Sequence, residues 1–190
     1  MAKVSKRGGF SDRNKIKPEN TEIQLKEFDK RTRIQLQNMI SQFYENICGN
    51  LYYGNEYLQK FFRYVIGTIY SEPVDTSWTY YKNEVFKMIN NTIQEDDYDD
   101  VLTLIEAIIQ YWDSYLRDVR GYDYYNAYDN SYRSCSIYEI ANSYLQREYV
   151  GYRFIDEQLT PISDDYELEA VKQALENPYS PVYEHLSKAN

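Results

Sequence analysis

The sequence predicts a mainly α fold, a compact bundle of five to seven helices with one small antiparallel β-hairpin near residues 150–162. Three observations carry this. Apolar residues recur at helical spacing through most of the chain, alternation at period two is confined to one short stretch, and Gly, Pro and acidic clusters divide the segments. At 190 residues the chain can bury a core without disulfides or metal.

From Asp29, a side chain suited to capping, Leu36, Ile40, Phe43, Tyr44 and Ile47 trace one helical face. Cys48-Gly49-Asn50 ends that helix, Gly49 tolerating the left-handed residue past a helix terminus. A second helix fits Asn55 to Tyr70, with Leu58, Phe61, Phe62, Val65, Ile66 and Ile69 as its buried stripe, and Pro73 closes it. Asp75 can cap a third, carrying Trp78, Tyr81, Val85, Met88 and Ile89.

The run Glu95-Asp96-Asp97-Tyr98-Asp99-Asp100 lacks the Gly and distal Glu of a calcium loop. It precedes a strong helix, where carboxylates favour the positive end of the dipole. That helix, Val101 to Val119, is apolar on nearly every side through its first turns and is expected to be the central one.

Gly121 to Tyr132 then holds five tyrosines and almost nothing aliphatic, and reads as a loop that meets solvent or a partner. Its interleaved charges, Asp123 and Asp129, are the wrong sign for stacking nucleic-acid bases. A fifth helix with Ile137, Ile140, Ala141, Tyr144 and Leu145 ends near Glu148. Val150, Tyr152 and Phe154 alternate as a strand, and Asp156-Glu157-Gln158 turns into a second strand over Leu159–Ile162. Ser163-Asp164-Asp165 caps a sixth helix with Leu168, Val171 and Leu175 inside, stopped by Asn177-Pro178. Pro181 opens one more.

The formal charge of -9 is uneven. Residues 1–33 hold ten Lys/Arg against five Asp/Glu, and residues 34–190 eleven against twenty-five. An acidic body repels phosphate, so broad nucleic-acid binding is not expected. No apolar run approaches the roughly 18 residues of a membrane span, and no apolar stretch follows the basic start, so neither a membrane partner nor a signal peptide is expected. Cys48 and Cys135 read as reduced thiols of a cytoplasmic protein.

The inventory for chemistry is poor. The single histidine, His185, lies in the terminal segment, and no nucleophile elbow, phosphate loop or clustered ligand set appears. No catalytic residue, cofactor or metal is expected, and the chain reads as a non-enzyme. The candidates for partner contact are Arg13, Arg31, Arg33 and Arg153, whose guanidiniums suit carboxylates or phosphates, and Tyr124, Tyr125 and Tyr128 of the loop. Phe10 and Tyr152 stand beside them. The simplest structural role for Arg13 or Arg153 is pinning the N-terminal segment to the acidic body.

The two ends carry a family likeness. Gly9-Phe10-Ser11-Asp12-Arg13-Asn14-Lys15-Ile16-Lys17-Pro18, Gln24 and Phe28-Asp29-Lys30-Arg31-Thr32-Arg33 lie near one terminus. Gly151-Tyr152-Arg153-Phe154-Ile155-Asp156, Leu159-Thr160-Pro161-Ile162-Ser163 and Glu167-Leu168-Glu169-Ala170-Val171 lie near the other. Together they resemble the fourth type of N-terminal domain in AbiJ-like abortive-infection proteins. The sequence departs at Lys15, where that family more often has Gly, and in the tyrosine-rich loop.

The resemblance implies a regulatory or sensing domain in defence against phage, placed ahead of a C-terminal HEPN-type effector. That effector and a phage protein are the implied partners, and a second copy of the chain is a further one. HEPN ribonucleases pair an arginine with a histidine a few residues on, whereas the arginine nearest before His185 is Arg153, thirty-two residues away. A degenerate HEPN-like nuclease subunit and an oligomerisation module are the rival readings. The expected organisation is a basic segment packing on the body over residues 1–28, the helical domain with its hairpin over 29–176, and the start of a linker or helix over 177–190.

Overall fold

The computed structural model describes residues 7, 13–15, 22–48, 56–74, 81–120 and 136–162. Within them run α1 (Lys30–Cys48), α2 (Glu56–Arg63), a π-helical segment (Tyr64–Ile69), α3 (Tyr81–Glu95), α4 (Tyr98–Arg120), α5 (Ile137–Arg147), β1 (Tyr152–Ile155) and β2 (Gln158–Pro161). The fold is mainly α with one antiparallel hairpin. The expected helices past Ser163, the start of the third helix at Asp75 and the loop Gly121–Tyr132 lie outside the described residues.

Helix α4 is the centre. Val101, Leu104, Ile105, Ile108, Ile109 and Trp112 are buried to within a percent of completely, and α4 touches α3, the π-helical segment, α5 and β2. Burying each such side chain contributes about 1.5–3 kcal/mol. Phe43 and Phe61 close on Trp112 at ring centroids of 6.1 and 5.2 Å, in edge and offset arrangements that aromatic pairs favour. The acidic run does sit at this helix's start, Asp99 and Asp100 falling in its first turn.

The second helix departs from its expected course. Asn55–Tyr70 reads as one α-helix, but from Tyr64 the chain widens into π turns, closed by Tyr70 N–H bonding Val65 O at 3.0 Å. The segment Tyr-Val-Ile-Gly-Thr-Ile joins β-branched residues to a glycine, a poor α-helical composition. Widening also leaves Val65 and Ile66 buried side by side. Ser71, at φ 55°, ends it, and Val74 then folds back to within 2.9 Å of where a side chain on Gly67 would begin.

The hairpin is one residue tighter than expected. Ile155 pairs with Gln158, and the two residues between them, Asp156 and Glu157, take φ of 48° and 69°. Positive φ at both central positions is what a type I′ turn requires, and its twist suits paired strands. Ile162 therefore falls beyond β2, its N–H donating to Gly151 O at 2.9 Å. Side chains replace the missing outer strands. Asn142 accepts from Phe154 N at 2.7 Å and donates to Phe154 O at 3.0 Å, while Glu106 accepts from Leu159 N. Pro161 has no N–H to leave unpaired.

A buried charged junction between the chain's two ends

Described parts of the segments that carry the family likeness meet in space, Gln24 on one side and Gly151 on the other. Gln24 forms a parallel bridge beside Val150: its N–H donates to Tyr149 O at 2.8 Å, and its O accepts from Gly151 N at 2.9 Å. Ile23 and Leu25 press on Gly151 so closely that a methyl group there would lie 2.4 Å from a Leu25 carbon. A side chain there would force Leu25 and Ile23 to shift.

Helix ends supply the charged groups. Asp29 caps α1, accepting from Thr32 N at 2.8 Å. At the other side, α5 closes in a Schellman turn: Val150 N bonds Leu145 O at 2.9 Å, and Tyr149 N bonds Gln146 O at 3.0 Å. Tyr149 holds the left-handed position at φ 59°, where glycine is usual. Glu148 is the C-cap, an unfavourable end for an acid because the helix dipole is negative there. Cations offset that cost.

Three arginines converge on this one carboxylate, whose side chain is 1% exposed. Arg7 reaches Glu148 Oε2 at 3.2 Å, Arg31 reaches the same oxygen at 2.9 Å, and Arg147 reaches Oε1 at 3.1 Å. Arg7 also pairs with Asp29, donates to Thr32 Oγ1 at 3.2 Å, and lies 5.5 Å from the centre of the Tyr149 ring. Gln24 ties the walls together, its amide nitrogen donating to Thr32 Oγ1 and Glu148 O at 2.8 Å each, and its carbonyl accepting from Asp29 N. Burial alone would raise the Asp29 carboxyl, but the Thr32 N–H and the Arg7 guanidinium outweigh it and hold it below its ordinary value.

The expected contact arginines divide accordingly. Arg31 belongs to the junction. Arg33 donates to Phe28 O, to Ile93 O at 2.8 Å and to Asp96 O at 2.9 Å, fastening the start of α1 to the end of α3. Arg153 donates to Val150 O and Tyr152 O, bracing its own strand. Arg13 is exposed. Nearby Lys15 takes φ 53°, the backbone region glycine favours. Phe10, Tyr124, Tyr125, Tyr128, Cys135 and His185 lie outside the described residues. Cys48 is buried, and burial pushes its thiol up to about 12, far from a reactive thiolate.

Sequence reasoning missed Arg7 and Glu148. Arg7 reads as one more charge in a solvated basic lead-in. Glu148 did leave a signal, an acid at a helix C-terminus, where only cations are expected.

No group of three or more His, Cys, Asp or Glu suited to a metal occurs among the described residues, and no helix among them is long and apolar enough to cross a membrane. Among the described residues, the fold is a helical domain in which Arg7 and the start of α1 are fastened to the end of α5 by buried charge. The chain belongs to the family of AbiJ N-terminal domain 4, which matches residues 8–177, and is thus a domain of abortive-infection, antiviral-defence proteins. No curated protein and no solved structure matches it.

Proposed function

We propose that this chain is a non-catalytic regulatory domain that restrains a C-terminal HEPN-type effector until infection. The observation that carries this reading is the convergence of Arg7, Arg31 and Arg147 on buried Glu148. These cations are engaged in holding elements together, which is the work of a scaffold with a defined resting state. An effector that must stay silent needs an attached part able to bias it between two states. The infection cue is a phage protein, since the acidic body disfavours nucleic acid, and Tyr124, Tyr125 and Tyr128 offer low-entropy anchors for it.

The test is to express the effector part alone and joined to residues 1–190, and to incubate residues 1–190 with bulk RNA. The effector alone should arrest growth, the joined protein should not, and the RNA should stay intact. Cleavage by residues 1–190 would overturn the reading. Replacing the three loop tyrosines with Ser in the joined protein should abolish protection from phage. Unchanged defence in a folded variant removes the loop as sensor.

A further inference from the structure

We propose that the junction is an arginine-recognition pocket that Arg7 fills from within the same chain, and that an arginine on a basic, extended segment of a partner protein competes for it. The proposal deepens the regulatory reading by naming a ligand class, and rests on that reading only for its biological consequence.

The chemistry around Arg7 is the set that reads a guanidinium. Two carboxylates approach it from different elements, Asp29 on its Nη2 and Glu148 on its Nε at 3.2 Å. A hydroxyl, Thr32 Oγ1, accepts at 3.2 Å, and the Tyr149 ring supplies an aromatic neighbour at 5.5 Å. A planar cation can donate from one nitrogen to Asp29 and Thr32 while its charge lies within ion-pair reach of Glu148 and its face near the ring. A compact ammonium cannot reach all of these.

The walls stand without their occupant. Asp29 keeps the Thr32 N–H, Glu148 keeps Arg31 and Arg147, and Thr32 Oγ1 keeps the Gln24 amide. Gln24 is in turn fixed by its backbone bridge to Tyr149 and Gly151. A pocket whose every wall has a second support is prearranged, and prearrangement is what makes a site bind rather than collapse. Tyr149 supports the same conclusion. A tyrosine in the left-handed region is strained, and here that conformation accompanies a ring placed beside the guanidinium.

The approach to the pocket favours a cationic peptide. An open cavity of about 510 Å³ runs along residues 22–29 and shares Asp29 with the pocket. Glu22 and Glu27 line it against one lysine, Lys26. A segment lying there would set its arginine beside Asp29 with acids on either hand. The tether gives Arg7 an effective concentration of roughly millimolar order, so a competitor must be tight or locally concentrated.

The experiment frees the pocket in the full chain with R7A and titrates it by calorimetry. The probes are an amidated peptide of residues 1–7 and the same peptide with citrulline in place of its arginine. Citrulline keeps the shape and loses the charge. R7A should bind the arginine peptide about tenfold or more tighter than the citrulline one, as expected when a charge-assisted pair becomes neutral. The wild-type chain should bind it about tenfold or more weaker than R7A, because Arg7 already sits in the site. In R7A/D29N, where Asn preserves the helix cap, the preference should shrink markedly, Glu148 alone remaining to read the charge, and an undiminished preference overturns the proposal. Equal binding of the two peptides by folded R7A overturns the proposal. Should R7A prove unfolded, the arginine peptide and not the citrulline one must restore helical circular dichroism, and no recovery at millimolar peptide overturns it equally. Neither outcome bears on the growth and RNA tests above.

Discussion

The core round α4 and the Glu148 carboxylate are both buried, yet they are built on opposite logic. Ile105 and Ile108 are wholly buried among other apolar groups, so their contribution scales with area and tolerates approximate shape. Glu148 is buried as deeply, but its contribution depends on cations from three separate places in the chain. Taking charges out of water costs several kcal/mol per ion, which the pairing only roughly offsets. The core therefore supplies stability, and the junction fixes which parts of the chain meet. The difference teaches where to look for a switch. An area-driven core loses stability in proportion to the area removed, whereas the charge cluster outlives the loss of Arg7, Glu148 keeping Arg31 and Arg147, but not the loss of the carboxylate that all three share.

The largest effect should come from breaking the junction. Glu148→Ala leaves three guanidiniums without their common carboxylate and should cost about 3–5 kcal/mol, the usual penalty for half of a buried ion pair. Denaturant unfolding measures it. A loss below about 1 kcal/mol would place this cluster with surface ion pairs and dissolve the contrast with the core.

Close behind comes the core. Ile108→Ala should cost about 2–5 kcal/mol, as buried aliphatic truncations do. The contrast sharpens in salt. Exposed charges are screened at high ionic strength and buried pairs much less, so the Ile108→Ala loss should not change with added salt, and the Glu148→Ala loss should fall only slightly. A Glu148→Ala loss that vanishes in molar salt would show that water reaches the junction.

A smaller effect is expected where the hairpin meets α5. Asn142→Ala removes both bonds to the Phe154 backbone and leaves that part-buried edge unpaired, at a cost of about 1–3 kcal/mol. Amide hydrogen exchange should speed up at Phe154 while α4 stays protected. Equal acceleration in both would mean that the hairpin and the core unfold as one unit.

These regions also differ in how far the sequence betrays them. Helix α4 was legible because every turn repeats the same message, Leu104, Ile105, Ile108, Ile109 and Trp112 in one periodic run. The hairpin was legible from the alternation at Val150–Phe154, though its tight turn was not, since Asp-Glu is an uncommon pair for two positive φ angles. The junction has no periodicity at all. Arg7, Gln24, Asp29 and Glu148 are up to 141 residues apart, and nothing local marks them as neighbours. The family likeness held the clue in another form, because Gln24, Asp29, Arg31, Thr32 and Gly151 all belong to it and the fold brings them to one place. The π turns escaped notice because an α-helical stripe and a π-helical one agree over the first turn.

The smallest effect concerns a second buried acid, and its sign is opposite to that of Asp29. Asp113 on α4 is 3% exposed, bonded through Oδ2 to Arg117 at 2.7 Å and to the Tyr138 hydroxyl at 3.3 Å. Its Oδ1 is buried with no hydrogen-bond partner among the described residues. Burial raises its carboxyl above the ordinary 3.8, Arg117 lowering it less than burial lifts it and Glu157 adding to the rise. An acid raised in the folded state takes up its proton earlier there than in the unfolded chain. The folded state thus gains stability as pH falls through that raised value, and the gain is complete below about 3.8. Asp29, held low, does the reverse: its contribution is present above 3.8 and lost as pH falls through its depressed value. Asp113→Asn removes the penalty of a buried charge and should raise the thermal midpoint near neutrality. That advantage should shrink toward pH 4, where wild-type Asp113 is itself becoming neutral. Asp29→Asn should lower the midpoint near neutrality, by an amount that fades only below pH 4. If both variants shift the midpoint in the same direction near neutrality, the two carboxylates do not sit in opposed environments, and the electrostatic distinction between core and junction fails.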